Sequence, residues 1–287
     1  GDLAEEAAKL PVPDADSLKL KSPKDFKIVG QPKTGVDNED IVTGMPLFGI
    51  DVRIPNMHYA SYTRAPHNGG TVKTANLDAI KSMPGIVNAF ILEPKGGPAD
   101  LRGGVAIVAT STWGALSAKK ALKIEWNIGA AGKDDWQGFV AEGKKIASKD
   151  GAPLISAGDA KGALKKAAKK ISATYTYPFL AHAPLEPQNC TAHVTADKIE
   201  IWAPSQTPNA GKKVAAMVSG LDEANVTLHQ MRCGGGFGRR LQNDFVAEAV
   251  AISQESGLPV KLQWTREDDM RHGFYATTSV EHLEAAI

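Results

Sequence analysis

The run Gly234-Gly235-Gly236-Phe237-Gly238-Arg239-Arg240 constrains this chain more than any other segment. Glycine has no Cβ, so a stretch with four glycines can bring its backbone N–H groups close to an anion. A helical apolar pattern begins directly after the run, and its two arginines could pair with phosphate oxygens. From this run alone two interpretations stay open, an anion-binding loop and a tight strand-to-helix turn.

The composition is that of an ordinary globular protein. Of its residues, 43% are hydrophobic and 23% charged. The length of 287 residues is enough for one large domain or two. A net charge of +1 gives no strong field towards nucleic acid or an anionic membrane. No apolar run approaches the roughly 18–20 residues that span a bilayer, and no secretory leader pattern opens the chain. Neither end carries the signals that open or close a domain, so we expect a piece of a longer polypeptide.

Cysteine and histidine spacing gives no metal-site pattern. Cys190 and Cys233 form no CxxC pair, so a thiolate site is not predicted, and two buried thiols are favoured over one disulfide. None of the seven histidines has a zinc-site spacing. We interpret His182, His272 and His282 as polar surface or hydrogen-bonding residues.

Hydrophobic patterning divides the chain into two α+β units. Residues 11–34, rich in Pro and Lys, predict a linker. The first unit, 40–127, has strand patterns at 47–52, 57–62, 87–92, 105–109 and 122–126, and helix patterns at 76–83 and 112–121.

Residues 128–159 predict a connector with one helix at 136–149. The second unit, 160–287, has helix patterns at 160–169, 209–219 and 241–255, and strand patterns at 171–177, 190–194, 198–202, 226–229 and 260–264. Apolar periodicity lapses between 127 and 160. We therefore expect a domain boundary there and no single sheet running through both units.

Three further segments accompany the glycine run. Residues 179–190 place Glu186 between two prolines, 202–207 end a strand with Gln206 near a helix start, and 265–270 are charged. In order and spacing, these four segments resemble the molybdopterin-binding large subunit of the xanthine dehydrogenase/aldehyde oxidase family. The subgroup they resemble most is that of the isoquinoline 1-oxidoreductase β-subunits and membrane-associated aldehyde dehydrogenases.

The resemblance implies an α+β fold and a function. Residues 40–127 would be the family's hammerhead-like α/β domain and 160–287 the first, incomplete molybdenum-cofactor-binding domain, with 1–39 as the tail of a preceding segment and a linker. The implied enzyme is a molybdenum hydroxylase that oxidises aldehydes or N-heterocycles with water as the oxygen source. Its cofactor would be molybdopterin cytosine dinucleotide, and this chain alone would be inactive.

The resemblance also assigns roles to residues. Gln206 would donate a hydrogen bond to an oxo ligand of molybdenum, because an amide donates without becoming a competing ligand. Gly235, Gly236 and Gly238 would let the backbone pass close to the metal and the pterin. Phe237 would form a wall of the substrate pocket. The alternatives are a local backbone bond for Gln206 and core packing for Phe237.

Three positions qualify that assignment. Arg239 and Arg240 replace the small residue and the Lys that more commonly follow Phe-Gly, and either would pair with cofactor phosphate or lie solvated at the helix start. Leu241 stands where purine-oxidising relatives carry Glu, which argues against purines and places Leu241 at the substrate pocket. We interpret Glu186 as a loop anchor that accepts backbone N–H groups.

No catalytic base and no metal ligand is assigned. In the family a Glu near the far C-terminus acts as general base, and Glu248, Glu267 and Asp268 lack its sequence context. The implied partners are the remaining segments of the large subunit and a small [2Fe–2S] subunit, with a cytochrome c subunit as a further option. The subgroup points to the periplasm or the inner membrane, with the cytoplasm as the alternative.

Two other functions stay open at this point. One is a non-catalytic truncated or split-subunit piece that binds partner segments. The other is a dinucleotide-binding domain, against which stand the Gly-Gly-Gly-Phe-Gly spacing and the lack of an acidic ribose partner in a βαβ unit.

Overall fold

The computed structural model describes residues 2–128, 135–149 and 151–287, and the chain divides into two compact units, Gly1–Met45 and Pro46–Ile287. The first unit contains helices α1 (Ala4–Lys9) and α2 (Asn38–Thr43), separated by the short 3-10 turns Ala15–Ser17 and Pro23–Asp25. None of its described residues is buried. Between residues 11 and 34 the two 3-10 turns are the regular structure present, and the interpretation of this segment as a linker stays a prediction.

The second unit is mixed in content, and the predicted α+β class is confirmed. Its strands are β1 (His58–Arg64), β2 (Thr71–Ala75), β3 (Ile86–Leu92), β4 (Gly104–Ala109), β5 (Ile124–Asn127), β6 (Lys170–Tyr177), β7 (Asn189–Val194), β8 (Ile199–Ala203), β9 (Val226–Gln230), β10 (Val260–Gln263) and β11 (Ser279–Ala286). Its helices are α3 (Leu77–Lys81), α4 (Thr112–Ala121), α5 (Trp136–Ala147), α6 (Ala160–Lys166), α7 (Pro208–Ser219), α8 (Asp244–Ser256) and α9 (Arg266–Arg271).

One seven-stranded sheet, in the order β3-β4-β1-β10-β7-β8-β9, runs through both predicted halves. The parallel pairing of β1 with β10, which sets His58 opposite Val260, makes the join. The prediction that no single sheet links the halves is therefore wrong. The physical reason is that Ala60 and Ser61 of β1 are buried. Without β10, one edge of this strand would be open and would leave buried backbone groups unpaired.

The assignment of named domains to parts of this unit stays a prediction. The connector helix predicted at 136–149 is confirmed as α5, whereas residues 129–134 and 150 of the connector lie outside the described residues. Two small ribbons complete the unit, β2 with β5 and β6 with β11. Sequence analysis missed β11, whose partner lies about a hundred residues earlier, and it interpreted α9 as part of a charged segment.

Helix α8 packs on the sheet and has its first ten residues buried, which makes it the central helix of the core. The strand predicted at 47–52 is wrong, because this segment forms a 3-10 turn over Gly49–Asp51. The Asp51 carboxylate accepts the Phe48 N–H at 3.0 Å and so closes that turn. Both cysteines are free thiols, Cys190 buried and Cys233 partly so. None of the described helices is long and apolar enough to cross a membrane.

Candidate functional site

The glycine loop, residues 234–238, lies between β9 and α8 and has an unusual backbone. Gly235 and Gly238 have φ values of 100° and 94°, which glycine adopts at little cost. Phe237 has φ 54°, a conformation that costs a residue with a Cβ roughly 1 kcal/mol or more. Its ring is 75% exposed, so the alternative of core packing is wrong. The chain holds an aromatic side chain out to solvent on a strained backbone.

Three successive backbone donors distinguish this loop. Among the described residues, the N–H groups of Gly235, Gly236 and Phe237 have no hydrogen-bond acceptor. The flanking donors are both used: Gly234 N–H bonds Glu186 Oε2 at 2.8 Å, and Gly238 N–H bonds Gln206 Oε1 at 3.1 Å. Consecutive free N–H groups of this kind form a concavity suited to an anion.

Gln206 is exposed and lies directly against the loop. Its Oε1 accepts the Gly238 N–H, and a Cβ added to Gly236 would lie 2.6 Å from that same oxygen. The Gln206 Nε2 has no acceptor within the described part of the chain. The backbone group that the Gln206 oxygen bonds lies 32 residues away and is not the local backbone of the helix start that the alternative foresaw, and the bond leaves the amide donors open.

Glu186 anchors the loop through its carboxylate, and the prediction that it accepts backbone N–H groups is confirmed. Its Oε1 accepts from Ile50 N–H at 3.0 Å and from Asn189 Nδ2 at 2.8 Å. Its Oε2 accepts from Gly234 N–H and, at 3.1 Å, from Arg240 Nη2. A Cβ on Gly234 would collide with the Glu186 Cβ, which explains glycine at that position.

Arg240 is fully buried and bonds to protein carbonyls. Its Nε donates to Gly235 O at 2.9 Å, and its Nη groups donate to Glu186 O at 2.8 Å and Pro204 O at 3.3 Å. With the Glu186 carboxylate, these contacts join three segments that are far apart in sequence: 184–187, 204–206 and the glycine loop. Arg240 therefore holds the glycine loop in place through the Gly235 carbonyl.

Arg239 is 1% exposed and forms a double hydrogen bond with Asp244 at 2.9 and 2.8 Å. The alternative that Arg239 and Arg240 lie solvated is wrong. Their pairing with cofactor phosphate stays a prediction, and it has no support in these contacts, because both guanidinium groups face protein partners. Burial alone would raise the pKa of Asp244, but Arg239 and Arg64 outweigh it and lower the pKa below its usual range.

Two apolar side chains flank the loop on its exposed side. Leu241 is 49% exposed and closes the short 3-10 turn Arg239–Leu241, so helix α8 begins at Asp244 and not at the predicted Leu241. The Leu241 Cδ1 lies 4.0 Å from the Cβ position of Gly238. Phe237 and Leu241 thus offer apolar surface beside the free backbone donors.

Sequence reasoning missed the residues that support the site. Strand β1 supplies Arg64, which donates to Asp244 at 2.8 Å and to Glu248. The Trp264 Nε1 donates to Glu248 at 2.8 Å, and its ring lies under the Arg64 guanidinium at 4.1 Å. The sequence could have suggested the pairing of Arg239 with Asp244, because Asp244 follows five residues later in the first turn of a helix. It gave no indication of Arg64, because that residue comes from the other half of the chain.

Within 2–128, 135–149 and 151–287, no group of three His, Cys, Asp or Glu side chains could hold an ion. The alternative of a dinucleotide-binding unit is not supported, because β9 lies at the sheet edge while β10 lies between β1 and β7. A βαβ unit of that type would set these two strands in one parallel array.

Comparison with known proteins gives a family match over half of the chain. Residues 143–286 match the molybdopterin cofactor-binding domain. The chain is 27% identical over 263 residues to a nicotinate dehydrogenase chain of Pseudomonas putida, covering 89% of the chain and 21% of that protein. It is 25% identical to the beta subunit of isoquinoline 1-oxidoreductase of Brevundimonas diminuta, covering 96% of the chain and 35% of the relative.

A third relative is the membrane-bound aldehyde dehydrogenase (pyrroloquinoline-quinone) of Gluconacetobacter polyoxogenes, 29% identical, with coverage of 98% and 36%. Among solved structures, quinoline 2-oxidoreductase from Pseudomonas putida 86 superposes with a TM-score of 0.64 at 14% identity, covering 88% of the chain and 36% of that structure. That likeness concerns the fold. The chain spans 21% to 36% of the length of these three relatives.

Proposed function

The chain belongs to the family of molybdopterin cofactor-binding domains, as its motifs predicted, and on that premise we propose that its glycine loop seats the molybdenum cofactor of a hydroxylase. The substrates we propose are aldehydes or N-heterocycles, the classes named among its relatives. The observation that carries the proposal is the run of three backbone N–H groups, at Gly235, Gly236 and Phe237, that have no acceptor in the described part of the chain.

The residues present fit such a group. A molybdopterin is polyanionic, and the site offers donors: the three backbone N–H groups and the Nε2 of Gln206. Glycine at 235, 236 and 238 lets a ligand approach the backbone closely. When bound, the cofactor supplies the redox chemistry, and the protein supplies position and hydrogen bonds.

Each side chain has a distinct role in this proposal. Gln206 and the loop N–H groups donate to the cofactor, and Phe237 with Leu241 forms apolar wall for the substrate. Leu241 has no acceptor for a heterocycle N–H, so the preferred substrates are not purines. Arg240, together with Glu186, holds the loop in shape. We propose the cytosine dinucleotide form of the cofactor, on the likeness to the isoquinoline-type subgroup.

Two of the relatives are named as subunits, which supports an assembly of several chains. We propose that the catalytic base lies in the remaining segments of the large subunit and that a small [2Fe–2S] subunit accepts the electrons. Three acidic residues near the loop lack the freedom of a base: Glu186, Asp244 and Glu248 are buried and hydrogen-bonded.

The test is a content analysis of the complete protein, purified from a host that makes molybdenum cofactors. We expect close to one molybdenum per chain by elemental analysis and one equivalent of a cytidine nucleotide after acid hydrolysis. Bound nicotinamide nucleotide in place of molybdenum would favour the dinucleotide-binding alternative. Folded protein with neither would contradict the proposal and favour the non-catalytic piece.

A further inference from the structure

His182 lies against the glycine loop with a buried ring nitrogen that has no partner among the described residues. Its Nε2 is 3.6 Å from the position that a Cβ would take on Gly238. Its Nδ1 is buried and makes no hydrogen bond within the part of the chain that the structure describes. Buried side-chain nitrogens are normally paired, so an unpaired one in a candidate binding site calls for an explanation.

The backbone next to this ring is strained. The next residue, Ala183, has φ 44°, and Pro184 packs 3.3 Å from the Cβ position of Gly235. In the described residues, the non-glycine positions with positive φ are Asn56, Ala183 and Phe237, so two of them lie in the two loops that meet here. Strain of this kind persists where surrounding contacts enforce it, and it clusters at ligand sites.

The ring carries one proton, and its environment places that proton. Burial first, and then the nearby charge of Arg239, lower the pKa of His182, while Asp269 acts in the opposite direction. The imidazole is therefore neutral at physiological pH. A buried N–H without a partner is rarer than a buried acceptor without one, which favours the tautomer with the proton on Nε2 and the lone pair on Nδ1. In that tautomer the nitrogen next to Gly238 is the donor.

We propose that His182 is a ligand-binding residue whose neutral Nε2–H donates a hydrogen bond to an oxygen of the group bound over Gly238. The inference rests on the proposed function and adds a donor to it from outside the glycine motif. It gives the Nε2 of this ring a hydrogen-bond partner, which it lacks among the described residues, and leaves the buried Nδ1 as an unprotonated acceptor. The oxygen belongs either to the cofactor or to the substrate, and the two sources give different results on substitution.

The experiment compares His182→Leu, which removes the donor at similar volume, with His182→Gln, which keeps an N–H donor at similar reach. His193→Leu is the control, because His193 lines a surface groove beside Leu221 and Gln254 rather than the loop. Each variant is made in the complete protein. Molybdenum per chain, KM and kcat for an aldehyde and an N-heterocycle, and the melting temperature are measured.

If the oxygen belongs to the cofactor, His182→Leu lowers molybdenum content at least fivefold, and His182→Gln restores most of it. If the oxygen belongs to the substrate, His182→Leu keeps its molybdenum and raises KM about tenfold with kcat nearly unchanged, which corresponds to about 1.4 kcal/mol. His182→Leu with molybdenum and KM within twofold of wild type would overturn the role. So would a loss that His182→Gln shares in full, because that is a packing effect.

Wild-type protein without molybdenum would overturn both this inference and the proposed function, whereas loaded wild type with an unaffected leucine variant would overturn only this inference.

Discussion

Asp244 and Arg239 form a buried ion pair with two parallel hydrogen bonds, and the same carboxylate also accepts from Arg64 of β1. The paired side chains are no more than 3% exposed. The Trp264 ring lies within 5.2 Å of the Arg239 guanidinium and 4.1 Å of that of Arg64. The glycine loop is thereby tied to helix α8 and to the first half of the sheet, so its shape depends on residues from across the whole unit.

Removing the shared carboxylate leaves two buried guanidinium groups short of an acceptor. We expect Asp244→Asn to destabilise the protein by about 3–5 kcal/mol, the usual cost of breaking a buried pair. The measurement is the urea unfolding midpoint of the purified protein. Glu125→Gln is the matched control, because Glu125 pairs with Lys73 at the surface, with both side chains more than 60% exposed. That control should lose less than about 1 kcal/mol, and an equal loss in both variants would contradict the role of the network.

Gly236 tests the close approach of Gln206 to the loop. Its φ is not in the positive region, so a side chain at this position meets no strain of that kind. The obstacle is steric, because a Cβ there would lie 2.6 Å from Gln206 Oε1. We expect Gly236→Val to displace Gln206, break its bond to Gly238 N–H and abolish molybdenum incorporation, measured per chain by elemental analysis.

Gly151→Val is the control for that variant, because a Cβ on Gly151 meets no atom of the described, non-neighbouring residues within 4 Å. It should retain wild-type molybdenum content. If the Gly236→Val protein also stayed fully loaded, the loop would be an ordinary turn and the site assignment would fail.

Phe237 separates substrate binding from cofactor binding. Its ring is exposed and its backbone N–H has no acceptor among the described residues, so Phe237→Ala removes an apolar wall and keeps the donor. We expect unchanged molybdenum content, a KM raised about tenfold for aromatic substrates and a smaller effect for short aldehydes. Steady-state kinetics on both substrate classes provide the measurement. A parallel loss of molybdenum would show instead that the ring supports the loop.

Local patterns predicted most elements and one contact of the site. The strand patterns at 57–62, 87–92 and 105–109 match β1, β3 and β4, because their periodicity is set by residues close in sequence. Glu186, placed between prolines, was correctly interpreted as a backbone anchor.

Long-range pairing was what the sequence could not reveal. The register of His58 with Val260 joins strands about two hundred residues apart, and no local signal encodes it. Arg239 and Arg240 follow a glycine loop and so looked like phosphate ligands or solvated charges. They are buried against Asp244 and Glu186, which contradicts the solvated option and leaves phosphate pairing a prediction, because a buried guanidinium needs its acceptors within the fold.

His272 makes stability depend on acid pH. Burial and repulsion from Arg64, with smaller effects from Arg102 and Lys119, lower its pKa to about 3, against the attraction of Asp268. The unfolded chain, with a His pKa near 6.5, binds the proton first, so stability is full above pH 6.5 and falls as the pH drops towards 3. We expect His272→Gln to flatten this part of the stability curve by up to a few kcal/mol. Unfolding midpoints of both proteins between pH 7 and pH 4 provide the measurement. The buried carboxylates titrate in both proteins and cancel in the difference, so superimposable curves would show that His272 is not the group responsible.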